Sequence, residues 1–393
     1  MSKKLAMMTA VGLGALLAGT AYAEVGVTDT EIKIGDVNIL TGPASFIGQA
    51  VTIGSKVAAA EINEAGGING RKIVMVTEDD GYVPARSFQA AKKLIEVDKV
   101  FAINGTSGTA NIMAMMPLIE ENKVPVIVTT APNKLVYEPK VRPTVFTIGA
   151  DYADAFYAQL KFIHEKRSPK DAKYALVRQD DDFGVSVEEG YDRAVKEFKL
   201  NDVARIKYKR GERDFGAVAL KLQSLGVNVL ANGAIIAGSA NLLSEARKQG
   251  VKMEVASVWS EILPVSVKLS KPSEYKYIAA DYVAALADAS VAPFMTKANK
   301  YLTKDEIAGI NRYTLITYVG LHVLADAMKR CGKALTRECT VSELKKTKNF
   351  ATNGMTAPIS FDNAKHLSGT AVKIYEVDYG TMGFKALTDF AQY

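Results

Sequence analysis

The hydrophobic pattern of this chain alternates between two periods. From residue 32 onward, short runs rich in Ile and Val are followed by segments in which apolar residues recur every three or four positions. The run IKIGDVNIL is typical of a strand, and residues 52–64 have the period of a helix with one buried face. A Gly-Gly pair ends this helix, and an Asn-Gly turn leads into the strand RKIVMVT. A helix over residues 84–97 and the strands KVFAI and VPVIVT continue the alternation.

A second series of the same kind begins near residue 151. Helices are predicted up to residue 167 and over 186–199, 214–225 and 239–249, with the strands YALV, ARIKY, VNVLA and EVASV between them. Strands that are apolar almost throughout belong to parallel sheets covered by helices on both faces. Two such series predict an α/β protein with two doubly wound lobes.

The last third of the chain departs from this pattern. A strand, YIAADYVA, precedes two longer helices near residues 293–302 and 304–329. The segments PISFD and AVKIYEVDYG near the C-terminus are joined by a polar loop, and we interpret them as an antiparallel hairpin.

The first 23 residues form a separate segment. Two lysines precede an apolar stretch from residue 5 to residue 18, and Ala21-Tyr22-Ala23 supplies the small-x-small site of a secretory leader. The apolar stretch is short for a membrane span, and the Ala-x-Ala site favours a leader over a membrane anchor. We therefore expect cleavage after Ala23 and a soluble exported protein.

Composition narrows the range of partners. The chain has 393 residues, of which 48% are hydrophobic and 23% are charged, so it can bury the cores of two domains. The formal net charge is +6, but the basic residues are spread along the chain and no basic run is interleaved with aromatics. Nucleic acid is therefore not expected as a partner.

Two cysteines, Cys331 and Cys339, lie close together in CGKALTREC. In an exported protein such a pair predicts a disulfide that closes a local loop, with two free buried thiols as the alternative. No histidine adjoins either cysteine, so a metal site is not indicated.

Candidate chemistry lies where the predicted strands end, since ligands of open α/β sheets bind beyond the carboxyl ends of the strands. In the first lobe these ends are LTGPASFIG, NGTSGTAN and TTAPN. Their hydroxyl side chains include Thr106, Ser107, Thr129 and Thr130, which together with free backbone amides suit a small anion. Helix capping alone accounts for each hydroxyl, but their coincidence at successive strand ends favours binding.

The first of these loops argues against a nucleotide. LTGPASFIG lacks the spacing of a P-loop and the Gly-x-Gly-x-x-Gly pattern of a dinucleotide site. Pro43 also removes one amide donor that a phosphate would need. A lone carboxylate is the better fit for this lobe.

The corresponding strand ends of the second lobe are mostly apolar. Phe183, Ala234, Ile235 and the single tryptophan, Trp259, lie there, and each could equally be a core residue. Glu261 is the isolated acid of this set. It either balances an amine of the ligand or is simply solvated.

The sequence contains no motif that indicates catalysis. The histidines His164, His322 and His366 lie far apart, and none accompanies a nucleophile motif. The acids at 180–182 lack the alternate spacing of a calcium loop and are expected to form a turn before Gly184. We expect no enzyme activity, no metal and no cofactor.

Longer motifs carry a resemblance to a known family. EINEAGGINGRKI follows LTGPASFIG and precedes EDDGYVPARS, and the motifs DDFG, ERDFGAVALKL and PISFD come later in the chain. In this order they resemble the periplasmic branched-chain amino acid binding protein family, the type I receptors of ABC importers. The resemblance covers essentially the whole mature chain.

The resemblance implies two Rossmann-like lobes joined by three crossover strands, with a ligand cleft between them. It implies a first lobe made of residues 24–146 and 278–352. The second lobe would contain residues 147–277 and 353–393, the latter forming a C-terminal hairpin and return. The protein would close on a small ligand in the periplasm by a hinge motion and deliver it to an inner-membrane ABC permease.

Residue roles follow from the same resemblance. Thr106 or Ser107, and Thr129 or Thr130, would contact the anion of the ligand. Phe183 would close over the ligand, and an acid near 259–261 would meet an amine. Two departures from the family pattern bear on the ligand. Phe46 and Ile47, which we take as candidate ligand contacts, stand where amino-acid binders often have a tyrosine, and GAIIAG replaces a tyrosine and an acid. Candidate ligands are therefore branched-chain or other hydrophobic amino acids, and aromatic or aliphatic carboxylates.

Two other classes of function share these features. A sensor that reports its ligand-bound state to a signalling partner would use the same fold. A secreted two-domain enzyme is the least favoured class, because no acid–base pair is evident in the sequence.

Overall fold

A computed structural model describes residues 24–362 and 364–393. The predicted leader and its cleavage after Ala23 lie outside these residues. The first series of elements contains β1 (Glu31–Asn38), α1 (Ser45–Glu64), β2 (Lys72–Asp79), α2 (Pro84–Lys92), β3 (Ala102–Gly105), α3 (Thr109–Glu121), β4 (Val126–Val128), α4 (Lys134–Tyr137) and β5 (Val145–Thr147).

The second series follows the same alternation. It contains α5 (Tyr152–Lys166), β6 (Tyr174–Gln179), α6 (Asp182–Phe198), β7 (Asp202–Tyr208), α7 (Gly216–Leu225), β8 (Val229–Gly233), α8 (Ala237–Lys248), β9 (Glu254–Ser257), α9 (Pro264–Ser270) and β10 (Tyr277–Asp281). The remaining elements are α10 (Ala292–Tyr301), α11 (Lys304–Ala308), α12 (Arg312–Arg330), α13 (Arg337–Lys345), β11 (Lys373–Asp378) and β12 (Gly383–Ala386).

The strands form two sheets, one in each lobe, as the sequence predicts. The first sheet is parallel throughout and has the order β2-β1-β3-β4-β5. The second has the order β12-β11-β10-β9-β8-β6-β7, with only β11 and β12 antiparallel to their neighbours. In each sheet the strand order reverses once, beside β1 and β3 in the first and beside β6 and β8 in the second. Ligands of doubly wound folds bind at these switch points.

The chain passes between the lobes three times: after β5, after β10 and after α13. The predicted boundary at 277/278 would divide β10, which pairs with β9 and β11 over its whole length. Residues 278–281 therefore belong to the second sheet, and the passage comes after Asp281. The sequence pattern could not show this, because the strand YIAADYVA has no turn signal at its end.

The first lobe is completed by α10 to α13. Helix α12 packs on β3 and β4, α10 packs on α1, and α13 packs on α12. Helices α1 and α12 make the most extensive contact between any two elements. Gly54 allows this close approach, since an added Cβ would be 2.3 Å from the carbonyl oxygen of Thr314. A disulfide joins Cys331 and Cys339 between α12 and α13, as predicted. Among the described residues, no helix combines the length and hydropathy required for a membrane crossing.

Two predicted helices have different limits. The helix predicted from residue 52 begins at Ser45, so Phe46 and Ile47 lie in its first turn and not in the loop after β1. Gly48 permits this, since an added Cβ would be 2.2 Å from the carbonyl oxygen of Ile39. The helix predicted over 304–329 is broken into α11 and α12, because Asn311 starts a new helix with a capping box.

The predicted hairpin of PISFD with AVKIYEVDYG is wrong. Strand β11 pairs with β12 and β10, while Ile359 of PISFD makes only an isolated bridge to Phe350. PISFD is instead part of the third passage between the lobes. Local patterning identifies a β-rich run, but it does not determine the partner of that run.

Candidate functional site

A cavity lies between the lobes at the two switch points, with about 40 Å³ open to the centres of water molecules, and we call it the inner chamber. Its first-lobe wall consists of Ile39, Ile47, Tyr82, Ser107, Gly108, Thr109, Thr130 and Tyr313. Its second-lobe wall consists of Tyr152, Phe183, Ile235, Ile236 and Ser260. This lining contains hydroxyls, backbone and apolar groups, but no carboxylate, ammonium, guanidinium or imidazole group.

The first-lobe wall is polar where α3 begins. Its N-cap residue, Gly108, has a φ of 86° and no side chain caps the helix, so the first-turn amides stay available. The buried Thr109 hydroxyl has no hydrogen-bond partner among the described residues. The Thr130 hydroxyl donates to the Thr106 carbonyl and lies 3.4 Å from the Ser107 hydroxyl. A helix N-terminus with unpartnered donors is suited to an anion.

The second-lobe wall is aromatic and aliphatic. Phe183 meets the ring of Tyr152 edge-on with 4.8 Å between ring centroids, and Tyr152 stacks on Trp259 at 4.1 Å. Trp259 in turn meets Tyr282, whose hydroxyl donates to the Thr129 carbonyl of the first lobe at 2.8 Å. A row of packed rings thus runs from the inner chamber to the second passage between the lobes.

Glu261 lies behind this wall and not on it. Its carboxylate accepts a hydrogen bond from the Ile236 amide, and its backbone carbonyl accepts one from the Tyr277 hydroxyl at 3.0 Å. Burial raises the pKa of Glu261 to about 7, although the Ile236 amide favours the ionised form. Ile236 has a φ of 51°, a strained value for a β-branched residue. Glu261 therefore stabilises an unusual turn at the start of α8.

Asp79 holds together two loops of the first lobe, the loop after β1 and the turn after β2. One of its oxygens accepts from the amides of Leu40 and Gly81, both at 2.9 Å, and the other accepts from the Thr41 hydroxyl at 2.6 Å. Burial of Asp79 favours its protonated form, but these hydrogen bonds outweigh it and lower its pKa to about 2. The carboxylate thereby fixes the loop after β1 to the turn after β2.

A buried ion pair connects the lobes beside the passages. Two nitrogens of Arg312, at the start of α12, each lie 2.6 Å from an oxygen of Asp281, at the end of β10. The guanidinium is also 4.9 Å from the ring centroid of Tyr313 and 5.9 Å from that of Trp259. The charge of Arg312 is thus compensated within the protein, and neither member of the pair lines the inner chamber.

A second cavity adjoins the first, with about 290 Å³ open to the centres of water molecules, and we call it the outer chamber. It is lined by Ile39, Thr41, Pro43, Ala44, Gly81, Tyr82, Gln179, Tyr208, Arg210, Gly211, Glu212, Arg213, Ile235, Ile236, Ala237 and Gly238. Four residues border both chambers: Ile39, Tyr82, Ile235 and Ile236. Arginine and glutamate side chains are present in the outer chamber only.

The structure brings some of the predicted site residues together. Ile47, Ser107, Thr130, Phe183 and Ile235 line the inner chamber, and their role as ligand contacts stays a prediction.

Six other predicted residues do not line the inner chamber: Phe46, Thr106, Thr129, Ala234, Trp259 and Glu261. Phe46 packs beside Ile39 and Ile47 from the first turn of α1, and Thr129 points away to bond the Thr317 hydroxyl. Ala234 is fully buried at the end of β8. Glu261 is buried and not solvated, and it does not line the inner chamber; its role as the partner of a ligand amine stays a prediction.

Sequence reasoning missed three tyrosines of the lining, Tyr82, Tyr152 and Tyr313. Tyr82 and Tyr152 follow β2 and β5 and belong to strand ends that were not considered. Tyr313 follows the helix break, and the capping-box pair of Asn311 and Thr314 was the available signal. Thr109 and Ser260 also line the inner chamber, from segments that follow predicted strands.

Both the sequence and the fold of this chain are similar to those of known binding proteins. The sequence profile of a family described as "Periplasmic binding protein" matches residues 31–382. A "Leu/Ile/Val-binding protein homolog 1" of Brucella abortus (strain 2308) is 28% identical over 333 residues, which cover 83% of this chain and 84% of the homologue.

Two solved structures share the fold. A branched-chain amino acid ABC transporter protein from Thermus thermophilus with bound valine superposes with a TM-score of 0.82 at 19% identity, covering 93% of this chain and 98% of the other. A solute-binding protein of an ABC transporter from R. palustris in complex with 4-hydroxybenzoate gives 0.81 at 19% identity, covering 92% and 97%.

Proposed function

This chain belongs to the periplasmic binding protein family, and we propose that it is the solute-binding component of an ABC importer for a compact carboxylic acid with an apolar body and no amine. A benzoate-like acid is the leading example. One observation carries the proposal: the inner chamber joins an uncapped helix N-terminus to an aromatic wall, and its lining holds no acid.

The carboxylate of the ligand would lie at the start of α3. There the amides of the first turn and the hydroxyls of Ser107 and Thr109 can donate to it, and the partial positive charge of the helix end favours an anion. Charge-assisted hydrogen bonds of this kind are the strong ones. The polar wall would therefore fix the orientation of the ligand.

The body of the ligand would lie against Phe183, Tyr152 and Ile235. Removing apolar surface from water stabilises the complex by about 25 cal/mol per Å², so a ring that buries ~100 Å² contributes about 2.5 kcal/mol. An ammonium group at the same place would be desolvated without an acidic partner, at a cost of several kcal/mol. The cost of desolvating the ammonium exceeds the gain from burying the ring, so the chamber favours acids without an amine over amino acids.

Capture and delivery follow from the two-lobe arrangement. A ligand that touches both walls favours the closed form by its difference in affinity for the two forms. We propose that the closed form in the periplasm then docks on the permease. The solved structures with valine and with 4-hydroxybenzoate indicate that this fold accommodates either kind of ligand, so the lining of this chain must decide between them.

Matched ligand pairs test the proposal. Leucine is compared with 4-methylpentanoate, and phenylalanine with 3-phenylpropanoate, since the members of each pair differ only by the amine. Benzoate and 4-hydroxybenzoate complete the panel. Binding is followed by the fluorescence of Trp259, which stacks on the lining residue Tyr152, and by the rise in melting temperature.

We expect each acid to bind at least tenfold more tightly than its amino-acid partner. Tighter binding of the amino acids would refute the amine-free ligand class.

A further inference from the structure

Tyr82 stands between the inner and the outer chamber. It is the only aromatic residue among the four that border both cavities, the others being isoleucines. Its position follows from the turn after β2, where the Asp80 carboxylate accepts a hydrogen bond from the Tyr82 amide at 2.8 Å. The largest side chain at this border therefore belongs to the first lobe.

Both sides of the Tyr82 ring are in contact with protein. On the inner side, an added Cβ on Gly108 would be 2.6 Å from a ring carbon of Tyr82, so the ring rests directly on the start of α3. On the outer side, the Arg210 guanidinium lies over the ring at 4.2 Å from its centroid, a cation–π geometry. The ring is thus held between the two lobes.

Arg210 is itself fixed by the second lobe. One of its nitrogens lies 2.8 Å from the Asp181 carboxylate, which also accepts from the Gln179 amide at 2.6 Å. The other terminal nitrogen donates to the Tyr82 backbone carbonyl at 3.3 Å. The contact between Tyr82 and Arg210 can therefore form only when the lobes have met.

The backbone at Tyr82 is strained. Its φ is 66°, and Gly81 before it has a φ of 55°. Glycine adopts this conformation freely, but it costs free energy for an aromatic residue. Surrounding contacts must hold Tyr82 in it, and strain of this kind concentrates at functional positions.

We propose that Tyr82 determines the length of ligand that this protein accepts, by forming with Arg210 a partition that confines the ligand to the inner chamber. A ligand with a longer body must move the ring off Gly108 or away from Arg210, so closure around it is penalised. The accepted class is then a carboxylate with one ring or a short branched chain. This inference rests on the proposed function in taking the inner chamber as the ligand site.

A length series tests the partition. Dissociation constants are measured by titration calorimetry for benzoate carrying 4-methyl, 4-propyl, 4-butyl and 4-hexyl groups. The wild type is compared with Tyr82→Gly, which removes the ring and adopts the left-handed backbone without cost, and with Tyr82→Phe, which keeps the ring. Val83→Ala is the matched control, since Val83 is the exposed neighbour in the same turn.

In the wild type we expect the 4-hexyl acid to bind at least 100-fold more weakly than the 4-methyl acid. Tyr82→Gly should reduce this ratio at least tenfold, and Tyr82→Phe should keep the ratio within threefold of the wild-type value. Val83→Ala should leave both the ratio and the affinities unchanged. Arg210→Gln should reduce the ratio, whereas Arg210→Lys, which keeps a cation over the ring, should retain more of it.

A uniform loss of affinity for every length in Tyr82→Gly would overturn the partition, because it would mean that Tyr82 only packs the lobes together. If the wild type binds amino acids and not benzoates, the proposed ligand class fails, and the same ratio is measured with linear 2-amino acids of increasing length. That ratio then decides for or against the partition. A wild type that binds neither series overturns both ideas.

Discussion

The two walls of the inner chamber are built from equivalent positions of two similar sheets, yet they present opposite chemistry. The first-lobe wall offers an uncapped helix end and hydroxyls, while the second-lobe wall offers Phe183, Ile235 and a stack of aromatic rings. The equivalent helix of the second lobe is α8, which follows β8 as α3 follows β3. A carboxylate of the protein already lies at its start, because Glu261 accepts a hydrogen bond from the amide of the N-cap residue Ile236. We therefore expect the first wall to bind the carboxylate of the ligand and the second wall to bind its apolar body.

The largest expected effect on affinity comes from the polar wall. Thr109→Val keeps the branched shape but removes the hydroxyl, and loss of a hydrogen bond to a charged group costs about 1.5–3 kcal/mol. We expect affinity for every carboxylate to fall roughly 10- to 100-fold, to the same extent for aromatic and aliphatic bodies, as measured by calorimetry. Thr109→Ser is the control and should stay close to the wild type. Unchanged affinity in Thr109→Val would show that the carboxylate of the ligand does not bind at this wall.

A smaller effect is expected from the apolar wall. Phe183→Leu keeps an apolar side chain but removes the aromatic ring that would face the ring of the ligand, an interaction worth about 1 kcal/mol. Affinity for aromatic acids should fall about fivefold in fluorescence titrations, and affinity for 4-methylpentanoate should change less. Val185→Ala, an exposed position on the same helix, is the control. An equal loss for both kinds of acid would contradict the division of labour between the walls.

The smallest effect on affinity is expected at Glu261, which lies behind the apolar wall. Its pKa is raised from 4.5 to about 7 by burial, so between these pH values the folded chain keeps a proton that the unfolded chain has lost. The free energy of unfolding therefore falls as pH rises through this window, by up to about 3 kcal/mol from this group.

In Glu261→Gln this part of the pH dependence should be absent from denaturant unfolding curves, while ligand affinity changes less than twofold. Asp36, a buried acid of the first lobe whose pKa burial also raises to about 7, keeps its own contribution in both proteins. A large loss of affinity in Glu261→Gln would show that Glu261 contributes to ligand binding.

The two-lobe architecture could be predicted from sequence because strand and helix periods are local properties. The choice between neighbouring hydroxyls could not, since successive residues at a strand end point to opposite faces. Thr129 and Thr130 illustrate this: Thr129 faces α12 and bonds Thr317, and Thr130 faces the chamber. The exact residue at which the strand ends therefore decides which of the two threonines faces the chamber.

Residues that act through distant contacts were also beyond the reach of local patterns. Trp259 follows a strand of the second lobe as predicted, but Tyr152, from a different part of the sequence, stands between it and the chamber. The position of Tyr313 depends on a helix break whose significance appears only once α12 packs on α1. Such placements are tertiary properties, and only the structure supplies them.

The contact of α1 with α12 has a consequence for how the chain is made. Lys56 and Glu306 pair across this region although 250 residues separate them, and the parallel strands of the second lobe all lie in between. During synthesis from the N-terminus, β6 to β10 are therefore available before the first lobe has its last helices. Closing so long a loop slows folding. A chain truncated before residue 312 would possess the parallel strands behind the apolar wall but would lack the helix that completes the lobe carrying the polar wall.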